Sequence, residues 1–163
     1  MKRKGQFDVL TDYFEFFIGL FIFTLALLIM GVILYNFGIA SNETGLYSGK
    51  ISVIIDFMLN YPTYFDWLGL LAYILSLITS IIIARVLPAN IGLTILSAFM
   101  FFIYALGLMI LSNIMYVFIQ NAVFDSIRSQ IFILPFMWSH AILFAFVYFV
   151  ITAWALFGGK EIT

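Results

Sequence analysis

The chain has 163 residues, 65% hydrophobic and only 9% charged, with net charge −1, one histidine and no cysteine, and its mean hydropathy is +1.18. Soluble chains carry about 25% charged residues, so this composition argues against a water-exposed globular body. It leaves no basic field for nucleic acid, and without cysteine there is no disulfide, thiolate metal site or thiol chemistry.

The chain opens with "MKRKG" and runs straight into apolar sequence. A basic start, an apolar run and the small-residue stretch Gly38-Ile39-Ala40 outline a signal peptide, but the run is too long for one. The reading is a retained anchor, the first of four predicted spans at about Phe14–Tyr35, Phe65–Leu87, Ile91–Phe118 and Pro135–Phe157. Each has an uncharged centre and is close to the ~20 residues needed to cross a ~30 Å hydrocarbon core. The third is long enough to require tilt or overhang. All must be helices, because lipid offers no partner to an open strand edge. The predicted fold is therefore an all-α integral membrane protein. One transmembrane domain covers 1–163, with four transmembrane helices as two hairpins and short amphipathic interfacial helices in the outer loops.

Between spans one and two lies "SNETGLYSGKISVIIDFMLNYPTYFDW". Ile51, Ile54, Ile55, Met58 and Leu59 recur at i, i+3, i+4, i+7 and i+8, one face of a helix. Ser52, Asp56 and Asn60 take the opposite side. About ten residues (50–60) cannot span, so the segment is predicted to lie on the outer surface, apolar face in lipid. Pro62 is expected to end it, with Tyr61, Tyr64 and Trp67 in the interfacial aromatic belt. The asparagine of "NET" fits a glycosylation acceptor, a three-residue pattern that also arises by chance.

Span two carries Ala72, Ser76, Ser80 and Ala84, small residues four apart that allow close backbone approach. Span three carries Ala98, Ala105 and Ser112, seven apart. The joining "RVLPANIG" reads as a tight turn, Pro88 stopping one helix and Asn90 capping the next. The two stripes are expected to face each other; the alternative is an interface with a second copy.

The second outer loop, "NAVFDSIRSQIFIL", repeats the amphipathic pattern more weakly. Phe124, Ile127, Ile131 and Leu134 are placed to touch lipid, Asp125, Arg128 and Gln130 to stay wet, and Pro135 suits the first turn of span four. Asp56, Pro62 and Trp67 before span two, and Asp125, Pro135 and Trp138 before span four, suggest two related halves, each helix, surface helix, helix. Chance patterning of amphipathic loops is the competing explanation. Phenylalanine-rich runs such as "FEFFIGLFIF" and "FMFFIY" read as bulk facing lipid or partners.

Ionisable groups at depth would mark a transport path. Glu15 and Asp66 fall at span boundaries, which leaves His140 and Asn113. His140 lies five residues, about 8 Å, into span four, and Asn113 is comparably deep in span three. A hydrogen bond between them is expected, worth about 0.6 kcal/mol; a titratable gate or substrate contact is the sharper alternative.

Five cations, Lys2, Arg3, Lys4, Arg85 and Lys160, fall on one side and two, Lys50 and Arg128, on the other. The excess side is predicted to be cytoplasmic, or the inner side of a viral membrane, with both termini there. A lone histidine makes no His-pair haem site and has no nearby carboxylates for zinc or iron. No acid–base pair, Ser–His–Asp set or phosphate loop appears; "GG" at 158–159 reads as a helix end. The expectation is a non-enzyme without cofactor or metal. It would be a structural or assembly subunit of a secretion or respiratory complex, or of a virion's membrane layer. Its partners would be lipid and other complex or coat subunits, docked through the outer loops. The alternative is a small oligomeric channel or transporter with His140 and Asn113 along a polar path; an enzyme accessory using His140 ranks below both.

Overall fold

A computed structural model describes residues 2–44, 51–87 and 90–158, with side chains from Thr11 onward except that of Ile51. The described residues are helical, with no strand. Helix α1 covers Lys2–Glu43, α2 Ile51–Val86 and α3 Ile91–Ile119. A 3₁₀ turn, Ala122–Phe124, and the single-turn α4, Asp125–Arg128, lead into α5, Ile133–Ser139, and α6, Ala141–Phe157. Three helical segments, Thr11–Glu43, Ser52–Val86 and Ile91–Ile119, are long and apolar enough to cross a membrane; α5 and α6 would together make a fourth, bent by 81°.

The bundle forms along stripes repeating every three or four residues. On α1 the repeating buried positions are Tyr13, Phe17, Leu20, Thr24, Leu27, Gly31, Gly38 and Ser41, with Leu28 buried beside them. On α6 they are Ala141, Ala145, Tyr148, Thr152 and Ala155, with Leu156 beside the last. This spacing keeps one seam on its neighbours and favours left-handed crossings. Helix α1 packs on α2, α3 and α6, and α6 on α2 and α3. Helices α2 and α3 make little contact, so they occupy the long diagonal. Ring contacts and hydrogen bonds pair Tyr73 with Phe144 and Ser76 with Tyr148, so α2 and α6 run parallel.

That arrangement corrects the expected pairing of spans two and three. The small-residue ridge of α2 serves α6: Ser76 and Ser80 meet the Tyr148 hydroxyl, Ala84 packs with Ala155 and Leu156, and Ala72 at the ridge's end is exposed. On α3 the deepest residues are Ser97, Phe101, Leu108 and Met115, while Ala98, Ala105 and Ser112 are half-buried. The physical reason is a buried hydroxyl. Tyr148 needs hydrogen-bond partners inside the bundle, and the serines of α2 supply them. Asn90 does cap α3, its Oδ1 accepting from Leu93 N at 3.1 Å; Pro88 lies outside the described residues.

The separate surface helix at 50–60 is also corrected. Residues 51–86 form one helix with Pro62 inside it. A proline within a helix costs about 3 kcal/mol through its lost N–H bond and ring clash. Here the turns on both sides are held to α1. Ile55 and Pro62 are buried. Met58 and Leu59 close over Gly38, where an added Cβ would lie 3.0 Å from Leu59 Cδ2 and 3.5 Å from Met58 Cβ. The apolar face expected in lipid is thus largely an α1 contact, whereas Ile54 and Trp67 point outward; the Ile51 side chain is outside the described residues. With α2 unbroken and the α5–α6 pair bent, the two halves do not share one pattern. The phenylalanine-rich runs divide as well: Phe17 and Phe101 are core, Phe99 and Phe102 face out.

Candidate functional site

The fourth apolar segment breaks at Ser139-His140. Its first part, α5, is only seven residues long, and a short helix has four orphan N–H groups and four orphan carbonyls. No side chain of α5 caps its own start. The cap comes from α2: Asp66, 3% exposed, accepts Phe132 N and Ile133 N on Oδ2, both at 2.8 Å, and Leu134 N on Oδ1 at 2.7 Å. A carboxylate at a helix start also meets the positive end of the helix dipole. Just above, Thr63 Oγ1 donates to Gln130 O at 3.2 Å. Just below, Leu134 lies on Gly69, where an added Cβ would overlap its Cδ2 and sit 3.1 Å from Cγ.

The other end of α5 is answered from α3 and from the break itself. Ser112 Oγ donates to Trp138 O at 2.6 Å. Ser139 Oγ donates to Phe136 O at 2.8 Å. Trp138 is buried, its indole N–H donating to Thr24 Oγ1 at 3.1 Å, with Phe17 and Phe21 edge-on to its ring. Arg128, predicted to stay in water, folds back on the end of α3. It donates to Ile119 O and Asn121 O, each at 3.2 Å, and pairs with Asp125 at 2.8 Å; a cation there suits the negative end of the α3 dipole. Leu134, Ile127, Ile131 and Phe124, expected in lipid, are buried in the bundle.

Beside the break a groove of about 530 Å³ runs between α3 and α6, lined among others by Phe101, Met109, Ser112, Asn113, Ser139, His140 and Phe146. Asn113 and His140 therefore share a site, but the ring's hydrogen bonds run back over α5. Its Nδ1 is 3.0 Å from Phe136 O and 2.8 Å from Ser139 Oγ. The break explains this: His140 is the junction residue, at φ −120°, ψ 25°, and its ring covers carbonyls the bend has freed. With Nδ1 held against these two oxygens, Nε2 is the ring nitrogen without a hydrogen bond among the described residues.

Sequence reasoning placed Asp66 at a boundary and missed its role. The available signal was a carboxylate within "YFDWLGL", an apolar stretch that offers it no cation. At the opposite end of the bundle, Arg85 donates to Gly158 O at 2.6 Å and stands 5.3 Å over the Trp154 ring. Comparison with protein-family models, curated proteins and solved structures gives no match to this chain.

Proposed function

We propose that this chain is a multi-pass integral membrane protein that works by contact, as a subunit docking partner proteins at one end of its bundle. The observation that carries the reading is a mismatch of lengths. From Arg85 to Asp66 is nineteen residues, about 28 Å along α2, which matches a ~30 Å hydrocarbon core. Helix α2 continues another fifteen residues beyond Asp66, about 22 Å, and the end of α1 accompanies it. On this extension Phe37 is 60% exposed, Val53 70%, Ile54 55% and Phe57 47%. Apolar side chains lifted past the bilayer need cover, and exposed patches of this kind mark protein contacts. The cation excess at the Arg85 end supports placing that end in the cytoplasm.

The test is site-specific photocrosslinking in native membranes. A crosslinker at Val53 or Phe57 should join one discrete protein in stoichiometric yield, and one at Ile22, midway along α1, should join lipid. Lipid adducts from all three positions would overturn the docking reading. The break at His140 favours a second reading, an oligomeric channel or transporter, since interrupted helices border solute sites in transporters. It requires solute flux in reconstituted vesicles that His140→Ala abolishes.

A further inference from the structure

We propose that the groove beside the helix break holds one glycerophospholipid, with its phosphate at His140 and Asn113 and one acyl chain along Met109, Phe146 and Phe101. The proposal rests on the membrane-spanning reading and goes beyond it by naming a ligand.

The argument is polarity against depth. His140 stands seventeen residues from Phe157, about 26 Å along α6, close to the edge of a ~30 Å core and next to the headgroup layer that holds the phosphates. Asn113, Ser139 and His140 border the groove at that level. Its other walls lie deeper and are apolar. Phe146 is six residues further along α6 and Phe101 twelve residues back along α3, about 9 Å and 18 Å from the polar end. A groove that is polar at headgroup depth and apolar beneath matches the profile of one lipid molecule. It does not match a conducting path, which needs polar groups or charge rings along its length.

The chemistry of the polar end suits a phosphodiester. With Nδ1 turned to the break, Nε2 is the ring nitrogen left to meet a phosphate oxygen. The Asn113 amide supplies a neutral donor. None of the described residues lining the groove is a carboxylate, and Asp66, at the far end of α5, is occupied by three backbone N–H groups. The groove volume, about 530 Å³, lies within the ~300–1,000 Å³ usual for small-molecule sites.

The experiment reconstitutes the full chain in phosphatidylcholine vesicles containing phosphatidylglycerol with a diazirine in its acyl chain. Labelled residues are mapped by mass spectrometry. Met109 and Phe146 should be labelled several-fold more than Ile22 and Ile82, which face outward on α1 and α2. The His140→Ala, Asn113→Ala double variant should bring them down to that background. Met109→Trp, which fills the chain end and keeps the polar end, should lower labelling at Phe146. Equal labelling of groove and outward residues in the unaltered chain would overturn the lipid site while leaving the membrane reading intact. Failure of the protein to float with the vesicles would overturn both.

Discussion

Replacing Asp66 tests whether the broken segment is held by a carboxylate on another helix. In the native arrangement one buried side chain accepts three backbone N–H bonds at 2.7–2.8 Å. Hydrogen bonds to charged groups contribute about 1.5–3 kcal/mol each in soluble proteins. Polar contacts in membrane proteins average nearer 0.6 kcal/mol, because the unfolded chain in lipid also finds partners. Three bonds at the lower figure give about 2 kcal/mol. Removing one member of a buried charged network costs about 3–5 kcal/mol in soluble cases. Asp66→Ala should therefore destabilise by about 2–4 kcal/mol. Asp66→Asn keeps one oxygen: placed where Oδ2 is now, it retains Phe132 and Ile133 but sets an amide N–H₂ against Leu134 N. Its loss should be about half that of the alanine variant. Equilibrium unfolding in mixed detergent micelles measures both, and hydrogen exchange locates the effect: protection of the Phe132, Ile133 and Leu134 amides should fall by about 30-fold or more for a 2 kcal/mol loss. An alanine variant as stable as the native chain, with those amides still protected, would refute the reasoning.

Two further substitutions probe packing and hydroxyl balance. Gly69→Val should push into Leu134 and destabilise by about 1–3 kcal/mol, with Leu134→Ala in the same chain recovering part of the loss; an additive double variant would show that the two residues do not meet. Tyr13 and Tyr148 should respond with opposite sign to removal of the hydroxyl. Tyr148→Phe breaks contacts with Ser76 and Ser80 and should cost about 0.6–1.7 kcal/mol, whereas Tyr13→Phe deletes a buried hydroxyl without a partner in the described structure and should be neutral or stabilising. Thermal unfolding in detergent reads both, and equal losses would contradict the assignment.

Much of the helical plan was legible because charge and proline mark its ends: Arg85 and Asn90 bracket the α2–α3 connection, and "GG" follows α6. The packing faces were harder to see. In α1 the outward residues Ile22, Ile29 and Ile33 are as apolar as the inward Leu20 and Leu27, so hydropathy carries no periodic signal. The seam is written instead in small and hydroxyl residues, Thr24, Gly31, Gly38 and Ser41, the signal that α2 shows through Ser76 and Ser80. Pro62 misled because proline ends helices that stand alone, and α2 there leans on α1. The break at His140 had no local mark, since neither glycine nor proline occupies Ser139-His140, and the contact that holds the start of α5, Asp66 with Phe132, spans 66 residues.

That distance bears on how the site is built. A bend in an apolar segment is tolerated only where every freed backbone group finds a partner. Here the supporting side chains come from three different helices: Asp66 on α2 accepts the backbone N–H groups at the start of α5, Ser112 on α3 donates to Trp138 O, and Thr24 on α1 accepts the Trp138 indole N–H. The short helix is thus fixed by side chains that belong to the rest of the bundle. The groove walls follow, because Ser112 and Asn113 are adjacent on α3 and His140 sits where α5 stops. Loosening Asp66 should therefore change labelling of Met109 and Phe146 although Asp66 lines no part of the groove. A groove unaffected by that substitution would mean that α3 and α6 set its shape without α5.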